Sequence, residues 1–261
     1  MNKLSIAAGL VALGLSTMAS AGQVQVKITN NAGVSGTYLT PAWFGFHDGN
    51  FDLFNAGSAA SASLEAIAED GNSSVLSTDF NNQQATAVDG STAGLLAPGT
   101  SASTTFNLSD NGSNDYFSFA AMVLPSSDYF IGNDNAFNIS SLLDNSFSKI
   151  SFDIGTVYDA GTEVNDFATS AGNGLFGISG GQMAPGEGAD ENGVVSLATG
   201  ANYAFFLNQD GSDLTPLNFS NYQSLATIEI SNVSAVPVPA AAFLFAPALL
   251  GFMGLRRRKQ S

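Results

Sequence analysis

The chain of 261 residues contains 22 acidic and seven basic side chains, one histidine and no cysteine. All of the acids but only two basic residues, Lys27 and Lys149, lie between residues 22 and 235, so this stretch carries a net charge of −20. Such a field repels nucleic acid and anionic lipid and attracts divalent cations, and the missing cysteines exclude disulfides as a source of stability. About 214 residues with recurrent apolar side chains suffice for one domain with a hydrophobic core.

The first 21 residues have the plan of a secretory signal peptide. Lys3 is followed by an apolar run from Leu4 to about Leu15 and then by small residues that end at Ala21. A basic start, an apolar middle and a small-residue end in that order are typical of such peptides. We therefore expect export, cleavage after Ala21 and a mature chain that starts near Gly22.

Residues 22–235 contain several short patterns of the β type. Val24, Val26 and Ile28 alternate with polar residues, which is the period of a half-buried strand. The further strand candidates are Phe117–Leu124, Ile150–Ile154, Tyr203–Leu207 and Leu225–Ile230. Turn-forming clusters of Gly, Asn, Asp and Ser lie between them. Short strands joined by long acidic loops predict an all-β fold, an antiparallel β-sandwich.

One short helix is predicted within this pattern. In residues 58–69 the apolar positions Ala60, Leu64, Ile67 and Ala68 have the i, i+4, i+7, i+8 spacing of a core-facing stripe, and a glycine follows at position 71. Residues 168–200 are rich in glycine and weakly patterned. They predict a long loop.

Familiar catalytic motifs occur only out of context. Residues 172–177 match G-x-G-x-x-G, but no strong strand precedes them and no basic residue lies nearby, so we expect no dinucleotide site. Residues 177–181 match G-x-S-x-G, which needs a later histidine, whereas the only histidine is His47. A lone histidine also excludes the H-E-x-x-H zinc sites. Because no nucleophile is marked out as a partner of His47, we predict a loop or capping role for it.

The carboxylates leave three hypotheses open. Two acids at a defined separation suffice for glycoside hydrolysis, so an extracellular, carboxylate-dependent polysaccharide hydrolase is one alternative. Oxygen-rich loops also offer the six to eight ligands that Ca²⁺ takes, and without an EF-hand pattern a calcium site would be assembled from separate loops. A structural matrix protein without a specific ligand is the third.

Residues 236–261 resemble the PEP-CTERM sorting signal of Gram-negative bacteria. Pro237-Val238-Pro239 is followed by the uncharged residues 240–255 and then by Arg256-Arg257-Arg258-Lys259, with Val238 where the motif usually has Glu. As a helix, residues 240–255 span about 24 Å, short of a settled transmembrane helix but able to insert into a membrane. The basic cluster then keeps the C-terminus inside the cell and the preceding domain outside.

This resemblance implies an exosortase as a partner that recognises the tail and cleaves near the Pro-x-Pro motif. The alternative is a plain C-terminal membrane anchor. Both place residues 22–235 in the cell envelope, at the cell surface or in the extracellular matrix, with a transmembrane helix at residues 240–255 before any processing.

Three regions, in this order, resemble the spondin N-terminal domain in its bacterial form. They are residues 39–49 (Leu-Thr-Pro-Ala-Trp-Phe-Gly-Phe-His-Asp-Gly), residues 64–71 with the ending Ala-Glu-Asp-Gly, and the paired motifs P-S-S-D-Y-F at 125–130 and D-A-G-T-E at 159–163. The resemblance covers roughly residues 24–232. It implies a C2-like β-sandwich with a calcium site and a role in adhesion or in the extracellular matrix.

Carried over residue by residue, the resemblance implies Asp128 and Asp159 as Ca²⁺ ligands, with Glu163 and Glu69 as further candidates. Another acidic ligand of the animal site falls near Thr104, where this chain has no carboxylate. Without the resemblance, Asp128 would be interpreted as a turn or capping acid and Asp159 as a turn former.

The leading hypothesis is therefore a calcium-binding adhesion or matrix module that is not an enzyme. Its expected partners are a surface glycan or a matrix protein, and nucleic acid is not among them.

Overall fold

The computed structural model describes residues 22–33, 36–109, 111–166, 168–198 and 224–233. The predicted signal peptide, the predicted strand Tyr203–Leu207 and the predicted tail at 236–261 lie outside these ranges. No helix within them is long and apolar enough to cross a membrane.

Two antiparallel β-sheets form the framework of the domain. The strands are β1 (Gly22–Asn30), β2 (Tyr38–Leu39), β3 (Trp43–His47), β4 (Val88–Ser91), β5 (Ser101–Leu108), β6 (Tyr116–Leu124), β7 (Tyr129–Gly132), β8 (Phe137–Asn138), β9 (Lys149–Ile154), β10 (Tyr158–Asp159), β11 (Ser196–Leu197) and β12 (Ala226–Asn232). One sheet has the order β5-β1-β12-β9, and the other has the order β11-β10-β7-β6-β3-β4, with β2 and β8 also paired to β6. The predicted all-β, antiparallel β-sandwich is confirmed.

The four-stranded sheet buries one face only. Val24, Val26 and Ile28 of β1 are fully buried, and the polar residues between them lie on the outer face. Of the predicted strands within the described ranges, those at Val24, Phe117, Ile150 and Leu225 correspond to β1, β6, β9 and β12. These four predictions are confirmed because alternation or a continuous apolar run marks each of them.

The eight-stranded sheet lies in the middle of three layers. Phe117 and Phe119 of β6 pack in the core that it shares with the four-stranded sheet, whereas Ala120 packs with Trp43 and the helices on its other face. A strand that is covered on both faces is apolar throughout, which explains the continuous run in β6. The middle sheet is therefore covered on both faces, and the site described below lies beside its strands β7 and β10.

The helices are α1 (Ala62–Asp70), α2 (Ser73–Gln83), α3 (Ser140–Leu143) and a 3₁₀ turn at Asn173–Phe176. Helix α1 buries Leu64, Ile67 and Ala68 as predicted, and it ends at Gly71, whose φ of 63° suits glycine. It begins at residue 62 and not at 58 because the Ser61 side chain accepts a hydrogen bond from the Leu64 N–H and caps the helix.

The prediction of a single helix was incomplete. Helix α2 buries only Leu76 and Phe80, and the rest of its sequence is polar, so its apolar stripe is too sparse to be recognised. Residues 168–198 are a loop apart from the 3₁₀ turn and β11, as expected. The G-x-G-x-x-G match falls on this 3₁₀ turn. It therefore lacks the strand before it and the α-helix after it that a dinucleotide-binding motif has.

Of the predicted loop or capping role of His47, the loop position is wrong, whereas the side chain does accept a hydrogen bond from a nearby backbone N–H. His47 is the last residue of β3 and is fully buried. Its Nε2 lies 3.1 Å from the Ser118 hydroxyl, and its Nδ1 accepts a hydrogen bond from the Gly49 N–H. Burial lowers the pKa of His47 to about 4, so the ring is a neutral core residue at physiological pH.

Candidate metal centre

The two acidic motifs meet at one end of the eight-stranded sheet. Strand β7 pairs with β10 so that Tyr129 lies opposite Asp159. The residue before Tyr129 is Asp128, and its carbonyl accepts a hydrogen bond of 3.2 Å from the Ala160 N–H. Antiparallel register therefore brings Asp128 next to Asp159, although 31 positions separate them in the sequence.

Asp128 is the buried member of the site, with an exposed fraction of 0%. Its Oδ2 accepts hydrogen bonds from the Thr162 N–H at 2.8 Å, the Glu163 N–H at 3.2 Å and the Thr162 hydroxyl at 3.3 Å. Its Oδ1 has no hydrogen-bond partner. Burial of an oxygen without a hydrogen-bond partner costs free energy. A cation bound to Oδ1 would remove that cost.

Asp159 is half-buried and is held by two hydrogen bonds. Its Oδ1 accepts from the Gly161 N–H and its Oδ2 from the Asn165 side chain, each at 2.9 Å. The first bond is the turn that Asp-x-Gly sequences favour, and Gly161 has the φ of 67° that this turn needs. Asp159 is thus both a turn former and a member of the acidic site.

Glu191 is a third carboxylate at the site, and the sequence did not predict it. One oxygen from each of Asp128, Asp159 and Glu191 lies within 4.8 Å of the others. Oxygens on opposite sides of a Ca²⁺ ion are about 4.8 Å apart when each is about 2.4 Å from it, so this spacing suits a hard cation. The exposed Glu191 is held by its N–H, which donates to the Thr162 carbonyl at 2.9 Å.

The negative charge of the site has no nearby counter-ion among the described side chains. The two described lysines, Lys27 and Lys149, lie on the four-stranded sheet and bind Glu229 at 3.4 and 2.6 Å. Burial and then the charge of Asp159 raise the pKa of Asp128 to about 7, against the opposing hydrogen bonds from Thr162 and Glu163.

The pKa values of Glu191 and Tyr129 are shifted in the same direction as that of Asp128. Burial, together with the charge of Asp159, raises the pKa of Glu191. The pKa of Tyr129 is also raised, by burial first and then by Asp159, Asp128 and Glu191. The phenol of Tyr129 therefore lies within electrostatic range of all three carboxylates.

Glu163 and Glu69, the other predicted ligands, are not members of the converging trio. The backbone N–H of Glu163 donates a hydrogen bond to Asp128. The side chain of Glu163 is only 3% exposed, and its Oε1 has no hydrogen-bond partner. Burial raises the pKa of Glu163 to about 7, and the charge of Glu69 contributes. Glu69, at the end of α1, is also buried, and burial raises its pKa. The structure therefore places this pair beside the trio.

The signal that would have identified Glu191 is weak. It lies in the glycine-rich region that we interpreted as a loop, and in the sequence it is one acid among 22. Only the path of residues 189–197 along β10 brings it to the other two carboxylates.

Comparison with known proteins identifies a family for this chain. No curated protein matches the chain. The sequence model of the Spondin_N family matches residues 40–173, just over half of the chain, and this range includes Asp128 and Asp159 but not Glu191. The chain therefore belongs to the Spondin_N family, which indicates an extracellular or secreted module.

Proposed function

We propose that this chain is a calcium-binding module of the cell surface or extracellular matrix and that it acts in adhesion without catalysis. The observation that carries the proposal is the buried, unpartnered Oδ1 of Asp128, which lies in a group that brings carboxylate oxygens of Asp128, Asp159 and Glu191 within 4.8 Å of one another.

The donor chemistry supports calcium over softer metals. The trio consists entirely of carboxylates, and the chain has no cysteine and only the buried, neutral His47. Hard oxygen donors favour Ca²⁺, Mg²⁺ or Mn²⁺, and carboxylates from separate loops suit the larger, more flexible shell of Ca²⁺. Backbone carbonyls and water would complete six to eight ligands. Calcium would also offset the mutual repulsion that, after burial, contributes to the raised pKa values of Asp128 and Glu191.

The same geometry favours binding over polysaccharide hydrolysis at this site. The carboxyl groups of a glycosidase flank an open cleft at separations of about 5 to 9.5 Å. Here Asp128 is fully buried, and three backbone and side-chain donors already occupy its Oδ2. A buried carboxylate cannot reach a scissile glycosidic bond, so Asp128 is suited to hold a cation.

The rest of the proposal concerns delivery and partners. The signal-peptide pattern and the family support export, and the tail supports processing by an exosortase, with residues 240–255 in the membrane beforehand. The expected partner of this strongly acidic domain is a glycan or a matrix protein. It would bind through the calcium ion or beside it.

Thermal unfolding of the full chain in calcium and in chelator tests the metal site. At a calcium concentration of 100 times Kd, binding stabilises the fold by about 2.7 kcal/mol. For a domain of this size that corresponds to a rise in Tm of about 5–10 °C.

Two variants make the test specific. Asp128→Asn should lose the rise in Tm, and Asp153→Asn should keep it, because Asp153 is an exposed acid on β9 of the other sheet. If calcium leaves the Tm of the wild type unchanged, the proposal of a metal site is wrong.

A further inference from the structure

We propose that Glu191 is a cation ligand and that the bound cation fastens residues 189–197, which we call the strap, to the edge of the eight-stranded sheet. This inference rests on the proposed calcium site. It adds a ligand from outside the segment that matches the family, and it gives the cation a structural task.

The strap runs antiparallel to β10 and to the residues that follow it. Strand β11 pairs with β10, and beyond that pairing the Gly193 N–H donates to the Gly161 carbonyl at 2.7 Å. The Glu191 N–H donates to Thr162, and the Val164 N–H donates to the Ala189 carbonyl at 2.8 Å. The strap is therefore held by an irregular ladder on β10 and, at Val195, by two further hydrogen bonds of 2.8 Å with Gly57 and Ser58, and Glu191 lies near its start.

Apolar burial contributes little to the attachment of the strap. Val195 is its one buried residue, at 1% exposed, whereas Leu197 is 63% exposed. Segments that are held mainly by solvent-accessible backbone hydrogen bonds open with a low free energy. A ligand bond from Glu191 to a cation that Asp128 and Asp159 also hold would therefore be a major part of this attachment.

Close approach of the two segments directs Glu191 toward the site. At Gly161, with φ of 67°, a Cβ would lie 2.7 Å from both the backbone N and O of Val194, so only glycine allows the strap to lie this close. Along the strap, Asp190 and Asn192 line a cavity of about 210 Å³ together with Glu65. Glu191, between them, converges instead with Asp128 and Asp159.

A second observation points to a ligand at this position. The fully buried Asp128 has one oxygen, Oδ1, without a hydrogen-bond partner, and an exposed acid alone would not explain that orphaned oxygen. A cation that bridges Asp128 and Glu191 would be the missing partner of the buried Oδ1. It would enter from solvent on the side of the exposed Glu191. The strap then closes the outer side of the site.

The test compares Glu191→Gln with Asp190→Asn on the full chain. Both variants remove one negative charge from the strap and keep the side-chain size, but only Glu191 is a member of the trio. Calcium affinity is measured by isothermal titration calorimetry, and backbone hydrogen exchange of the strap is measured by mass spectrometry in saturating calcium and in chelator.

We expect Glu191→Gln to weaken calcium binding about tenfold or more and Asp190→Asn to weaken it less than about threefold, since affinity follows the charge of the ligand set. Calcium should slow exchange of the strap amides about tenfold in the wild type and in Asp190→Asn. In Glu191→Gln it should leave their exchange fast even when the site is saturated.

The possible failures are distinguishable. If the wild type binds no calcium, the proposed function fails and this inference fails with it. If the wild type and Glu191→Gln bind calcium equally and show equal protection of the strap, the calcium site stands and the role of Glu191 is overturned.

Discussion

The pH dependence of stability in the absence of metal gives a quantitative test of how Asp128 is buried. Its pKa in the folded protein is raised from 3.8 to about 7, chiefly by burial. A carboxyl group with a raised pKa binds its proton more tightly in the folded state, so it adds stability below its unfolded pKa and that stability is lost as the pH rises through about 7. Between pH 5 and pH 8 this shift corresponds to roughly 2–3 kcal/mol of the free energy of unfolding, with the protein more stable at pH 5.

His47 acts in the opposite direction and must be separated from Asp128. Burial lowers its pKa from 6.5 to about 4, so its contribution is fully present above pH 6.5 and is lost as the pH falls toward 4. Asp128→Asn separates the acidic site from His47, because His47 is unchanged in both proteins and the amide oxygen can still accept from the Thr162 N–H. The substitution also removes a charge that helps to raise the pKa of Glu163.

The assay is urea unfolding of the wild type and Asp128→Asn in chelator at pH 5 and pH 8. On going from pH 8 to pH 5, the free energy of unfolding of the wild type should increase by roughly 2–3 kcal/mol relative to that of the variant. Asp153→Asn, with its substitution on the opposite sheet, should follow the wild type. Identical pH dependence in the wild type and Asp128→Asn would refute the reasoning.

Two further predictions concern the fold around the site, and urea unfolding measures both. Gly161→Ala should destabilise the protein by about 2–3 kcal/mol, because its Cβ would overlap the backbone of Val194, whereas Gly94→Ala, with a similar φ of 70° but open space, should cost only about 1 kcal/mol. Leu64→Ala on the buried face of α1 should cost about 2–5 kcal/mol, and the half-exposed Leu95→Ala should stay within about 0.5 kcal/mol. Equal costs within either pair would contradict the packing described here.

Much of the framework could be predicted because its signals are local. The alternation in β1 and the apolar run in β6 follow from burial of one face or of two, and the stripe of α1 lies within nine residues. Helix α2 escaped prediction because Leu76 and Phe80 are its only buried apolar residues. The burial of His47 escaped prediction because it depends on contacts with Ser118, Phe80 and Tyr116, which lie far away in the sequence.

The candidate site was predictable only in part. Asp128 and Asp159 stand in motifs that resemble a family, and the pairing of β7 with β10 brings them together. Glu191 reaches them through the path of the strap, which depends on the close approach at Gly161 and leaves no periodicity in the sequence. Glu163 and Glu69 stand in the same resembling segments, but the structure does not bring their side chains into the trio.

Isothermal titration of the full chain with calcium at pH 8, for the wild type and Asp128→Asn, tests the central claim most directly. At this pH the carboxyl group of Asp128, with its pKa of about 7, is ionised and ready to bind a cation. The account predicts saturable binding of calcium at this site in the wild type and its loss in Asp128→Asn. Equal affinity and stoichiometry in the two proteins, or no binding by the wild type, would contradict it.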